Sequence, residues 1–118
     1  MSAILITTDL MATSAADGAA RSAGVELQTV SPGTAIASSN MQTKLAAIDL
    51  TSPISDLAGF VADLRAAAPN VTLLAYGPHV HEARLQAARE AGVEHVISRG
   101  QFHSQFANYL TRYATDGD

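Results

Sequence analysis

Asp49 closes an apolar run, Leu45-Ala46-Ala47-Ile48, and is followed four residues later by Pro53. A carboxylate at the carboxyl end of a buried strand stands where open α/β sheets place their chemistry. Other segments carry chemically capable groups. His79 and His81 alternate beside Glu82, a spacing that can bring two imidazoles to one metal ion, but no third and fourth ligand follows nearby. The plainer reading has Gly77-Pro78 redirecting the chain and leaving one of these histidines at the rim of the Asp49 pocket, able to donate to an anion. Ser98-Arg99-Gly100-Gln101 could hold a phosphate through backbone amides and the guanidinium. The G-x-G-x-x-G dinucleotide motif is absent, because the first turn reads Thr8-Asp9-Leu10-Met11. Thr7-Thr8 and Thr51-Ser52 are hydroxyl-rich turns able to cradle a flavin phosphate, although Tyr76 alone among nearby aromatics could stack on the ring. His95, in a strand, and His103, on the last helix, read as packing or surface residues.

Five short aliphatic segments must position these groups: Ile4–Thr8, Val25–Val30, Leu45–Leu50, Val71–Tyr76 and Glu94–Ser98. Each precedes a stretch of helical character, the alternation of a doubly wound parallel sheet in a single α/β domain. Leu10–Ala23 is alanine-rich and stops at Gly24. Ile54–Ala68 carries Leu57, Phe60, Val61 and Leu64 at three- and four-residue intervals, one apolar helical stripe. Pro32 to about Met41 reads as a second helix, with Ser31 as N-cap and proline at the first position, or equally as a short, loose turn, since Ser31-Pro32-Gly33-Thr34 and Ser38-Ser39-Asn40 are turn formers. The last helix, about Phe102 to Ala114, sets Phe102, Phe106, Tyr109, Leu110 and Tyr113 on one face, three aromatics packed and one tyrosine partly exposed. Ser22-Ala23-Gly24-Val25-Glu26 and Glu90-Ala91-Gly92-Val93-Glu94 look alike because both stop a helix with glycine. The domain spans 1–114, and 115–118 reads as a disordered tail. The small residues of the first helix and of the fourth, Ala83, Ala87, Ala88 and Ala91, favour close packing within the chain over a self-association surface.

This order of elements, with Asp49-Leu50-Thr51-Ser52-Pro53 after strand three and Asp56 beyond it, resembles the receiver domains of bacterial response regulators, of the chemotaxis-receiver kind. The resemblance covers nearly the whole chain and implies a (βα)5 flavodoxin-like fold with strand order 2-1-3-4-5. A typical receiver has an acidic pair after strand one, an acceptor Asp after strand three, Thr or Ser after strand four and Lys after strand five. The matching positions here read Thr8-Asp9, Asp49, Ala75 and Arg99. Leu57 replaces a glycine, Gly100 a proline, and Val96 the switching aromatic. The resemblance therefore leaves Asp9, Asp49 and the Thr51 carbonyl as a weakened Mg²⁺ site, since one carboxylate is missing. Arg99 keeps the cation, but its planar fork favours pairing with a carboxylate, so an Asp49–Arg99 ion pair is expected to occupy the acceptor. Ala75 and Val96 lack the hydroxyl and ring of the usual switch.

The chain thus resembles an atypical receiver, or pseudo-receiver. The first expectation is a stand-alone signalling domain that acts by binding a protein, as a monomer or homodimer, without a cofactor and without enzymatic activity. The second is a Mg²⁺-dependent phosphoacceptor, phosphorylated on Asp49 by a histidine kinase or phosphotransfer protein in a phosphorelay. The third is a flavodoxin-like small-molecule carrier. On the resemblance alone, partners would meet helix four, strand five and helix five around Arg84, Arg89, His95 and Tyr113. Composition narrows the field further. A formal charge of −4 with 7 Lys and Arg and no basic run argues against nucleic acid. The absence of cysteine excludes thiol chemistry and suits the cytoplasm. The opening Met1–Ile6 reads as a strand and not a signal peptide, and no segment is apolar for the roughly 20 residues that span a bilayer.

Overall fold

The computed structural model describes residues 2–115. Each aliphatic run becomes a strand and the stretch after it a helix: β1 (Ala3–Ile6), α1 (Leu10–Ala23), β2 (Leu27–Val30), α2 (Pro32–Ala35), β3 (Leu45–Asp49), α3 (Leu57–Ala67), β4 (Thr72–Gly77), α4 (Glu82–Glu90), β5 (His95–Ser98) and α5 (Arg99–Tyr113). The strands are all parallel, in the order β2-β1-β3-β4-β5. β1 and β3 are buried along their whole length, as strands covered on both faces must be. Among the described residues no helix is long and apolar enough to cross a membrane.

The period of two along each strand divides the core into halves. Ile4, Ile6, Ile48, Leu73 and Ala75 face α3 and α4, where Val61, Leu64, Leu85 and Ala88 meet them. Leu5, Ala47, Leu74 and Tyr76 face the other layer, where Ala16 and Ala20 of α1 and Phe102, Phe106 and Leu110 of α5 close over them. The alanines of α1 are therefore spent inside the molecule: Ala12, Ala16 and Ala20, at four-residue spacing, are the ones buried. Gly24 (φ 70°) ends α1 and Gly92 (φ 90°) follows α4, both in the left-handed region, so the repeated segment is one helix stop used twice.

Several boundaries move, each for a local reason. β1 ends at Ile6, leaving Thr7 and Thr8 in the loop beyond it. The second helix is a single turn and does not reach Met41, because the Ser38 and Ser39 hydroxyls bond back to the carbonyls of Thr34 and Ala35 and the chain breaks into turns. α3 starts at Leu57 because Asp56 is its N-cap, accepting from Gly59 N at 3.0 Å. α5 starts three residues before Phe102: Ser98 and Gln101 form a reciprocal capping box that makes Arg99 the first helical residue. Tyr109 and Tyr113 are both half-buried and packed against the core, where one packed and one partly exposed were expected. Of the expected tail, Thr115 is described, its hydroxyl bonded to Thr111 O, and 116–118 lie outside the described residues.

The edge strand β5 is held at its entry by Glu94, which accepts from Arg65 Nη2 at 2.8 Å and from Leu73 N at 3.2 Å. Burial pushes this carboxyl up, but the Arg65 and backbone hydrogen bonds outweigh that and hold it below its ordinary value of 4.5. The folded state therefore favours the ionised form, so the contribution is complete above 4.5 and is lost as pH falls through the lowered folded value. Glu94→Gln is expected to be less stable than the native chain at pH 7, with the gap narrowing below pH 4.5. Urea midpoints measured for both proteins from pH 7 down to about pH 3 check it.

Candidate functional site at the end of the third strand

β1, β3 and β4 end together, with Ile6 opposite Ile48 and Asp49 opposite Tyr76, so the residue leaving β1 stands beside Asp49. That residue is Thr7. Asp49 is 1% exposed, and its charge is met by donors from its own chain. Thr7 Oγ1 donates to Oδ2 at 2.6 Å, while Thr51 donates twice to Oδ1, from N at 2.9 Å and from Oγ1 at 2.7 Å. A carboxylate has about four lone-pair positions, and these bonds fill three. Thr7 also accepts from Asp9 N at 3.0 Å, and its own N donates to Val30 O, so one threonine ties the acid, the first turn and β2 together.

The other expected site residues are placed as follows. Thr8 is exposed and takes no part in the Asp49 hydrogen bonds. Asp9 is exposed and is the N-cap of α1, its Oδ1 accepting from Met11 N at 2.9 Å. Arg99 is exposed, and the expected Asp49–Arg99 ion pair does not form. The capping box takes Arg99 into the first turn of α5, and Thr7 and Thr51 already supply the donors that a guanidinium would have brought. Ala75 faces the α3/α4 core, away from Asp49; the residue opposite Asp49 is Tyr76. Counting the period of two back from Asp49 across the β3–β4 register would have found it, as it would have found Thr7.

Tyr76 is 2% exposed, stacks on Phe102 with ring centroids 3.8 Å apart and planes at 10°, and its phenol oxygen has no hydrogen-bond partner. Burial first, and then the Asp49 charge, push the phenol far above the ordinary tyrosine value. The nearby Thr7 hydroxyl pulls the other way without reaching hydrogen-bond geometry. This group stays protonated.

Mg²⁺, which the receiver resemblance implies, does not fit these residues as they stand. Near-octahedral oxygen ligation needs free carboxylate oxygens and space for water. Three positions on Asp49 are taken, Asp9 is turned to Met11 N, and Thr8 supplies no carboxylate. Among the described residues no three His, Cys, Asp or Glu side chains come together as a metal group, and His79 and His81 are exposed on their loop. The flavin and phosphate cradles are weakened likewise: Tyr76 is stacked inside the core, Thr7 and Thr51 hydroxyls are committed to Asp49, and the capping box engages the amides of Ser98 and Gln101.

The expected partner face divides. Arg84 reaches the loop after β3 and donates to Leu50 O at 2.8 Å, spanning one end of a groove of about 1000 Å³ between residues 50–58 and Ala87, Glu90 and Ala91 at the end of α4. Asp49 does not line that groove. Arg89 pairs with Glu82 at 3.4 Å on the exposed side of α4. His95 and Tyr113 do meet: His95 Nε2 lies 3.0 Å from the Tyr113 hydroxyl, with Tyr109 against the same imidazole.

No protein-family profile matches the sequence, and no curated protein does. Solved structures do. A CheY-like protein, TadZ, of Pseudomonas aeruginosa PAO1 superposes with a TM-score of 0.68 at 18% identity over 93% of this chain and 96% of that one. A putative pilus assembly protein, CpaE, of Burkholderia thailandensis E264 gives 0.66 at 18% over 95% and 97%. The receiver domain of NtrC4, as a beryllofluoride-activated dimer, gives 0.70 at 12% over 95% and 98%. The fold of this chain is that of a receiver domain.

Thr7→Val keeps the shape of the side chain and removes its hydroxyl. It is expected to lower stability by about 1.5–3 kcal/mol, the usual worth of a hydrogen bond to a charged group. Thr51→Val should cost less, because Thr51 N remains on Asp49. Urea denaturation of the two variants, compared at pH 7, checks the order.

Proposed function

From the receiver-like fold, we propose that this chain is a cytoplasmic signalling domain that works by contact with a protein partner, with Asp49 acting as a structural acid and not as a phosphoryl acceptor. The observation that carries this reading is the set of three donors on Asp49 from Thr7 and Thr51. Phosphoryl transfer to a carboxylate needs a free oxygen for attack and cations on the departing phosphoryl group. Here three of the four carboxylate positions are engaged, and Arg99, the cation expected to reach them, is at the surface.

The similar structures support a scaffold role, since one is described as a CheY-like protein and another as a putative pilus assembly protein. The dimeric NtrC4 receiver supports self-association as one mode of contact. The surface we assign to the partner is the part of the expected face that meets: His95 on β5 and Tyr113 on α5. The chain is not an enzyme in this reading.

A second reading makes Asp49 a Mg²⁺-dependent acceptor serving a histidine kinase. It is favoured by the position of Asp49 at the end of β3 and by the one lone pair left on Oδ2. In it the phosphorus–nitrogen bond of the kinase's phosphohistidine breaks as a bond to Asp49 Oδ2 forms, and the imidazole leaves; with acetyl phosphate a phosphorus–oxygen bond breaks and acetate leaves. Intact mass after incubation with Mg²⁺ and acetyl phosphate separates the two. The expected result is an unmodified chain. A single phosphoryl adduct that needs the metal and is missing from Asp49→Asn would overturn the structural-acid reading.

A further inference from the structure

We propose that Tyr76 is the residue that closes the Asp49 pocket to a divalent cation, by the volume of its ring. The inference rests on the structural-acid reading of Asp49 and names its steric cause.

Tyr76 is the direct β4 neighbour of Asp49, so its side chain rises from the sheet on the same face and beside the carboxylate. A hydrated Mg²⁺ keeps several waters and needs room on that face. The room is filled. Asp49 and Tyr76 are both almost fully buried, and the phenol oxygen itself is sealed from solvent.

The ring cannot readily step aside. It lies flat on Phe102, and Phe102 in turn packs on Phe106, with centroids 4.5 Å apart on the inner face of α5. Moving Tyr76 would break this stack and lift the start of α5. The donors on Asp49 differ in this respect: the two hydroxyls turn about single bonds, and the Thr51 amide, on Oδ1, leaves the open position on Oδ2 untouched. Thr7 and Thr51 satisfy the acid; Tyr76 shuts it in.

The unpartnered phenol oxygen shows which property of the residue matters. A buried donor without an acceptor costs free energy, and here it sits beside a carboxylate that keeps one lone pair open. Packing of the ring, and not hydrogen bonding of the hydroxyl, therefore sets the position of the side chain.

The test compares the native chain with Tyr76→Phe, Tyr76→Thr and Tyr76→Leu, each shown to be folded by its amide spectrum. Mg²⁺ alone is titrated while the backbone amides of Asp9, Thr51 and Gly77 are followed. The native chain and Tyr76→Phe are expected to show no saturable shift, and Tyr76→Phe should melt at a higher temperature for want of the orphaned hydroxyl. Tyr76→Thr is expected to show saturable shifts that vanish when Asp49→Asn is added. If Tyr76→Thr does not fold, Tyr76→Leu, which keeps apolar cover over Phe102 while vacating the outer edge of the ring, gives the same reading.

A folded Thr or Leu variant that ignores Mg²⁺ overturns the proposal and leaves the structural-acid reading standing. Saturable binding by Tyr76→Phe also overturns it, since the ring volume is unchanged. Saturable binding by the native chain, together with a phosphoryl adduct, overturns both.

Discussion

The constraint on which the rest of this molecule depends is the burial of a charge at the end of β3. An ionised carboxylate removed from water is tolerated only when donors surround it, and donors held at hydrogen-bond distance must come from well-placed backbone. Thr7 and Thr51 meet that need from two loops at once. The first turn, the exit from β3 and the register of β1 against β3 are thereby specified around one side chain. Asp9 is then free to cap α1, and the turn into α1 follows from the same threonine, which accepts the Asp9 amide.

Much of the architecture was legible in the residues. Aliphatic runs separated by helical periods, with glycines after α1 and α4, specify the order of elements, and the strand order followed from the resemblance. The misplaced boundaries have a common physical origin. Ser38, Ser39, Asp56 and Ser98 each have a side chain that competes for, or completes, backbone hydrogen bonds, and such local choices shift an element's end without altering apolar periodicity. The site was less legible for a different reason. Asp49 stood out by type and place, but Thr7 and Tyr76 matter because of which face of the sheet they occupy and which strand lies alongside. A register error of one residue exchanges faces, so Ala75 was named where Tyr76 stands, and Thr8 where Thr7 stands.

The two helical layers solve the packing problem in opposite ways. On the α3/α4 side, aliphatic residues from sheet and helices interlock, and Arg84 adds a polar strut from α4 to the Leu50 carbonyl. On the other side α5 brings the bulk, with Phe102, Phe106 and Leu110 buried, while α1 brings almost none. Tyr76, on β4, belongs to that second layer, stacked on Phe102 of α5 and beside the acid at the end of β3.

The alanine stripe of α1 has a consequence for motion. Its large apolar residues, Leu10 and Met11, are 83% and 82% exposed, so the helix is anchored by methyl groups and by its two caps. Little apolar area is returned to water when such a helix lifts off, and alanine has no side-chain rotamers to regain. Opening free energy differs from element to element within one domain. In this molecule the amides of α1 should exchange with solvent through a partial opening that leaves β3, β4 and α5 protected. The loop that carries Thr7 would loosen with it, making the enclosure of Asp49 only as durable as the attachment of this lightly anchored helix.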